Sequence, residues 1–557
     1  MVRPAVLVAL LLIILPVCIL MVRRSLYAGG GSVTITGSVK TGTTAISGSA
    51  VTLYAAGDAY GSGASMLATA VSAGDGTFSL TFSCAGNQET YITATGGNAG
   101  QGSNSAIGLM AALGPCESLV SGTSSATINE LTTAAAEWSL TQFLDSNGRI
   151  LGAPPSNTLG LQNAYVGFSN LADINASFVV SGNPSSFLPS AGSCPGVPNC
   201  DGLQRLNTLA NIIAGCTEIN PSSTACPQLL CDATPGDIYS SSCSGTPVII
   251  DTLGAAYQIV ANPANNVSAL FGLASVSTPF SPALGTAPDG WEMALNFADA
   301  GAAFNSPHAI ALDGSGNVFV ANQGSSSVSE LTAASGYSVG FNFAPTGISL
   351  STPSALALDS SGDAFTANFG NNSASELTAS SGYSMGSSLA AAGAMFDGTE
   401  AIALDGLGNV FVANSSNNGS VSELTLSSGY TIGFNFAPTN AMFAGPQALA
   451  LDALGDVFIA NLNNNSVSEL TASSGYSTGL NFAAAGASFS SPVSIALDGL
   501  VNVFVANLAN SVSELTAGSG YSTGVNFAPA GASLNSPSSM ALDGSGNLWW
   551  PMPTTTP

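Results

Sequence analysis

The chain has 557 residues, enough for about three or four ordinary domains, and only 7% of them are charged, so its polar surface must be built from hydroxyl and amide groups. Its 64 glycines suit many short strands and turns better than long solvated helices. The formal charge is −25 and the six basic residues are Arg3, Arg23, Arg24, Lys40, Arg149 and Arg205, too few to displace phosphate counterions, which excludes nucleic-acid partners and charge-driven docking to anionic membranes.

Residues 1–28 read as a targeting segment. An apolar run over 5–22 follows Arg3 and predicts either a signal peptide or an N-terminal membrane anchor. Gly29-Gly30-Gly31-Ser32 is a flexible linker. Between 32 and 98, the segments VTITGSV, AVTLY, TFSLTF and TYITA alternate apolar and polar residues between Gly-rich turns. That period of two predicts a small β-sandwich. The pieces SGSAVTLYA, GDGTFSLTF and TYITATGG resemble carboxypeptidase-regulatory-like (Ig-like) domains. The resemblance implies a stalk or accessory module without catalytic residues.

From 103 to 288 the apolar spacing changes to three and four residues, which predicts helices. In DGLQRLNTLANIIAGC, Leu203, Leu206, Leu209, Ile212 and Ile213 share a face and Asp201 stands at the N-cap. Apart from Cys18, the cysteines form an even set: Cys84, Cys116, Cys194, Cys200, Cys216, Cys226, Cys231 and Cys243. They predict disulfides in an oxidising compartment. A zinc site is the rival, but no His is nearby and the spacings match no familiar knuckle. The connectivity stays open. With the apolar N-terminus, this set predicts an extracytoplasmic protein, secreted or anchored at the cell surface.

Residues 289–557 carry an internal repeat. The motif ALD recurs with its Asp at 313, 359, 405, 452, 498 and 543, followed by a turn and a strand such as VFVAN. SELT comes next, with Glu330, Glu376, Glu423, Glu469 and Glu514, then Gly-Tyr and a last strand such as SVGFNFA. Four strands per unit in six copies predict a six-bladed β-propeller. The units resemble NHL repeats through SPHAIALDGSGNVFVAN and its copies. The sixth copy stops after NLWW, so its blade is expected either to be composite, with residues 538–550 as inner strands, Trp291–Phe297 as outer strand and Pro279–Leu284 as the candidate to fill the gap, or to be truncated and lack its third strand. The fold class is therefore multidomain and mainly β: a small β-sandwich, a disulfide-containing helical domain and a six-bladed β-propeller.

Each repeat Asp reads as a hairpin clamp that accepts backbone N–H groups, with calcium ligation as the alternative. The SELT glutamates are expected on a solvated strand face. Five residues before each repeat Asp stand His308, Ser354, Glu400, Gln447, Val493 and Ser538. This position varies while its neighbours repeat. Drift at an exposed strand start explains that variation. The functional alternative is a polar ligand pocket at the channel mouth, formed by His308, Ser354, Glu400, Gln447 and Ser538. With one His in the chain and no G-x-S-x-G or nucleotide loop, no catalytic residue is expected. The predicted function is non-catalytic binding of protein or carbohydrate at the cell surface. No cofactor is expected, calcium being the one candidate. The alternative function is a lactonase- or lyase-like propeller enzyme with a divalent metal at the channel mouth.

Overall fold

The computed structural model describes residues 32–83, 88–120, 124–174, 188, 201–218, 224–235, 249–293, 301–390, 392–416, 419–482, 485–527, 536–542 and 548–549. The apolar run 5–22 lies outside these. Among the described residues no helix is long and apolar enough to cross a membrane. The chain divides into two compact units, 1–296 and 297–557.

Two four-stranded sheets build the first unit. In one, Ser32–Thr41 pairs antiparallel with Thr77–Ser83 and Thr44–Ala45 and parallel with Ser124–Ile128. The other runs in the order Ser65–Val71, Ala50–Ala55, Glu89–Thr95, Gly108–Pro115. Along Thr77–Ser83 only Phe78, Leu80 and Phe82 are buried, the period-two pattern read from the sequence. Residues 89–94 and 108–113 are buried without alternation. The helices Glu130–Leu140 and Thr252–Ala261 pack on Gly108–Pro115, so this sheet is covered on both sides.

The separation into domains 32–98 and 103–288 is therefore corrected. Residues 32–293 share one apolar core, and two of its strands, Gly108–Pro115 and Ser124–Ile128, fall in the stretch expected to be helical. The physical reason is that the second sheet has two apolar faces and needs the helices to cover one of them. Asn129 caps Glu130–Leu140 with a reciprocal box: Thr132 N–H donates to Asn129 Oδ1 at 2.9 Å and Asn129 N–H to Thr132 Oγ1 at 3.0 Å. The helix Gly202–Thr217 buries Leu206, Leu209, Ile212 and Ile213 as expected. The Asp201 side chain makes no capping bond there and instead pairs with Arg205 Nε at 2.5 Å.

Cys216 and Cys226 form a disulfide, and Cys116 and Cys231 are also disulfide-bonded. Cys84, Cys194, Cys200 and Cys243 lie outside the described residues. Trp291 and Phe280 are both fully buried in the core of this first unit. Trp291 N–H donates to Pro263 O, and Asn207 Nδ2 to Pro282 O. The proposed use of Trp291 and Pro279–Leu284 in the last blade is thus corrected, because their apolar side chains and backbone are already committed to this core.

Among the described residues the second unit repeats one four-stranded antiparallel sheet five times, over 307–343, 353–389, 399–436, 446–482 and 492–527, called blades 1 to 5 below. The first strand of each blade adjoins the first strand of the next, a propeller-like arrangement. Ala541–Leu542 pairs with Leu548–Trp549 and adjoins blade 5.

Three devices recur. Asp405 Oδ1 accepts N–H bonds from Leu407 at 2.9 Å and Asn409 at 2.8 Å, and the other repeat aspartates in blades 1 to 5 do the same, which is the expected hairpin clamp. Asn414, buried at the end of the second strand, donates to Ser422 Oγ at 3.0 Å, which donates to Asn435 Oδ1 at 3.0 Å, so one polar ladder crosses three strands. Finally, the Tyr after each SG adopts φ near 60°, for example 59° at Tyr430, a conformation costly for a bulky residue. Tyr430 O–H donates to Gly408 O at 3.0 Å while its ring meets Phe365 of the preceding blade edge-on, with centroids 5.6 Å apart. The same inter-blade pair recurs at Phe319–Tyr383, Phe411–Tyr476 and Phe458–Tyr521.

Three of the five SELT glutamates are not on a solvated face, while Glu376 and Glu514 are half-buried. Glu330, Glu423 and Glu469 are buried, each opposite the Phe that packs against the next blade. Burial raises their carboxyls above the usual range, Glu469 to about 7 with Asp456 and Asp452 adding to the effect.

Candidate functional site

The variable position of the repeat is a β-bulge. In blade 3, Thr399 pairs with Asn414 and Ala401 with Ala413, which leaves Glu400 as an extra residue in the first strand. His308, Ser354, Gln447 and Val493 are the extra residues of blades 1, 2, 4 and 5 by the same register shift. A bulged residue is left out of the ladder and its side chain is re-aimed, so it varies without disturbing the frame. The expectation of drift in a loose strand start gives way to a fixed backbone feature. In blade 3 the entry is tight: Gly398 has φ of 65°, and a Cβ there would stand 2.5 Å from Ser416 Oγ.

Because first strands adjoin, bulges of different blades meet. Gln447 hydrogen-bonds the Glu400 carboxylate, and His308 is close enough for its charge to favour the ionised form. Ser415 Oγ stands 3.4 Å from Glu400 Oε1. Burial nevertheless dominates and holds the Glu400 carboxyl above its usual range. His308 Nδ1 lies 2.7 Å from Ser354 O, a carbonyl acceptor, so Nδ1 carries a proton and donates.

The structure therefore joins Glu400 to Gln447, with His308 within electrostatic reach of the Glu400 carboxyl. Ser354 is placed differently: it is buried, and its hydroxyl donates to Thr399 O at 2.7 Å, which ties first strands together. Val493 is half-buried. Ser538 is exposed, and among the described residues no hydrogen bond links it to the cluster. Ser415 was missed by the sequence reading. Its signal was its place directly after VFVAN, beside the bulge across the strand pair. Chemically the cluster offers a carboxylate, an amide and an imidazole, a set suited to a polar, hydrogen-bonding ligand. Among the described residues no group of three or more His, Cys, Asp or Glu is placed to hold a metal ion.

No protein-family profile matches the chain, and no curated protein matches it by sequence. Among solved structures, virginiamycin B lyase from Staphylococcus aureus aligns at 13% identity over 44% of this chain and 76% of its own, with a TM-score of 0.37. A protein of unknown function from Bacteroides thetaiotaomicron aligns at 15% identity over 45% of this chain and 68% of its own, with a TM-score of 0.32.

Proposed function

We propose that this is an exported, non-catalytic protein that presents a six-bladed, NHL-like ring at the cell surface and binds protein or carbohydrate through the bulged residues of its first strands. In this reading residues 5–22 direct export or anchoring, and the first unit, with its carboxypeptidase-regulatory-like strands, serves as a spacer. One observation carries it: the side chains that differ from blade to blade stand at bulges, where Glu400 and Gln447 are hydrogen-bonded and His308 lies within electrostatic reach, on an otherwise repeated frame. Binding to a panel of cell-wall glycans and surface proteins should weaken at least tenfold in E400A and Q447A, with unchanged melting. Ligands retained in full by both variants would place recognition elsewhere.

The second reading, a metal-assisted lactonase or lyase, draws on the proximity of His308 and Glu400. Turnover of lactones or esters with added Mg²⁺ or Ca²⁺, abolished by both H308A and E400A, would replace the binding role with it. Calcium itself should raise the melting temperature slightly and in a graded way by neutralising acidic surface. Sharp one-to-one saturation would instead reveal a dedicated site.

A further inference from the structure

The first unit holds a cavity of about 590 Å³ that the binding reading does not use. Its walls include Leu113 and Phe168 on the apolar side and Glu89, Glu117, Asp173 and Tyr165 on the polar side. Glu89 is 7% exposed and its Oε2 has no hydrogen-bond partner; Tyr165 is 6% exposed and its hydroxyl has none either. Two buried, unpartnered oxygens on residues that line one cavity need an explanation, because each forfeits water without a replacement. The strand beside them is distorted as well. Leu113 is an extra residue between Ala112 and Gly114 in the pairing of Glu89–Thr95 with Gly108–Pro115, so the ladder is bulged at the cavity wall.

The charge balance indicates what would fill the cavity. Three of its walls are acidic and no basic residue lines it among those described. Among the described residues the chain has few cations to offer: Arg149 pairs with Asp251, Arg205 with Asp201 and Asp289, and Lys40 does not line the cavity. A bare metal ion does not fit the donor set, since no three carboxylates converge among the described residues. The space is large, partly apolar, and flanked by the rings of Tyr165 and Phe168, which favour a cation with an organic body.

We infer that this cavity binds a small amphipathic primary amine, its ammonium group donating to Glu89 Oε2 and the Tyr165 oxygen near Glu117, and its apolar body resting on Leu113 and Phe168. Glu89 must be ionised to receive it. Burial first, then the charge of Glu117, raises the Glu89 carboxyl to about 7 in the empty site, with Asp173 and Tyr165 the other titratable groups lining the cavity. Affinity is therefore full above pH 7 and falls roughly tenfold per unit below it.

The test is calorimetric titration of the full-length protein at pH 8 with phenethylammonium, the neutral isostere 2-phenylethanol and the anion 3-phenylpropionate. The amine should bind at least tenfold more tightly than the alcohol, and the anion should not bind. E89Q, isosteric with the protonated acid, should lower amine affinity at least tenfold and leave the alcohol unchanged; Y165F should lower it several-fold. Equal binding of amine and alcohol, no amine binding, or affinity independent of pH between 5 and 8 would each overturn the inference. Should E89Q fail to fold, Y165F and the pH profile decide the matter. Glycan and surface-protein binding by the repeat is measured separately, so failure of one does not touch the other.

Discussion

At the level of single residues, the repeat separates what local sequence dictates from what a neighbouring blade imposes. The clamp at Asp405 was legible because all its partners lie within four residues, at Leu407 and Asn409. D405A removes those acceptors, and the domain should lose about 1–2 kcal/mol in chemical denaturation, whereas D405N should recover part of it. The position of Glu469 was not legible. Its strand pattern alone puts it on a face, and only the next blade turns that face into an interior. Above pH 7 the folded state must hold this charge half out of water, so E469Q should stabilise by roughly 1 kcal/mol at pH 8 and have no effect at pH 4. Equal effects at both pH values would mean that packing, not charge, governs the site.

At the level of elements, hairpins and alternating strands were read correctly wherever one face meets water, as along Thr77–Ser83. The reading failed at Gly108–Pro115, whose residues Gly108 to Leu113 are buried throughout: with both faces covered, a strand loses its period and resembles a helix segment. The bulges escaped notice for a different reason. An inserted residue leaves no mark in composition, and the variable column at His308, Glu400 and Gln447 was its only trace. Between blades, the Phe–Tyr pair is the principal aromatic contact. F411A should cost about 3–5 kcal/mol, since the ring is fully buried and meets Tyr476 of the next blade. Y476F should cost far less, because it keeps the ring and loses one bond to Gly455 O. A reversed order would show that the hydroxyl, not the ring, holds the blades together.

At the level of the whole molecule, buried acids without cations set the response to pH. Glu89, Glu130 and Glu469 all have carboxyls raised to about 7, chiefly by burial, from an ordinary 4.5. Below 4.5 both folded and unfolded chains hold these protons and there is no penalty. Between 4.5 and 7 only the folded chain does, so stability falls as pH rises and the full cost is present above 7. By this effect melting should be higher at pH 4.5 than at pH 8. A maximum at pH 8 would mean that these acids find compensation when ionised. Blade 1 bears on the proposed ring. Ile310 is 66% exposed, while its counterparts Leu356 and Ile402 are 8% and 7% exposed against the blade before them. If the last repeat covers that flank, deleting 536–557 should abolish cooperative unfolding of the repeat unit; a shortened chain that melts as sharply and at the same temperature would show that closure does not work this way.

The bulges also make the repeat a writable surface. Each first strand of blades 1 to 5 has one residue exempt from the pairing rules that fix all the others; Ser354 is tied to Thr399 O, and His308, Glu400, Gln447 and Val493 form an alphabet of four letters on a grammar that does not change with the message. Randomising those four codons should yield a library whose members fold alike and differ in what they hold, and a new specificity would need a handful of substitutions rather than a new scaffold.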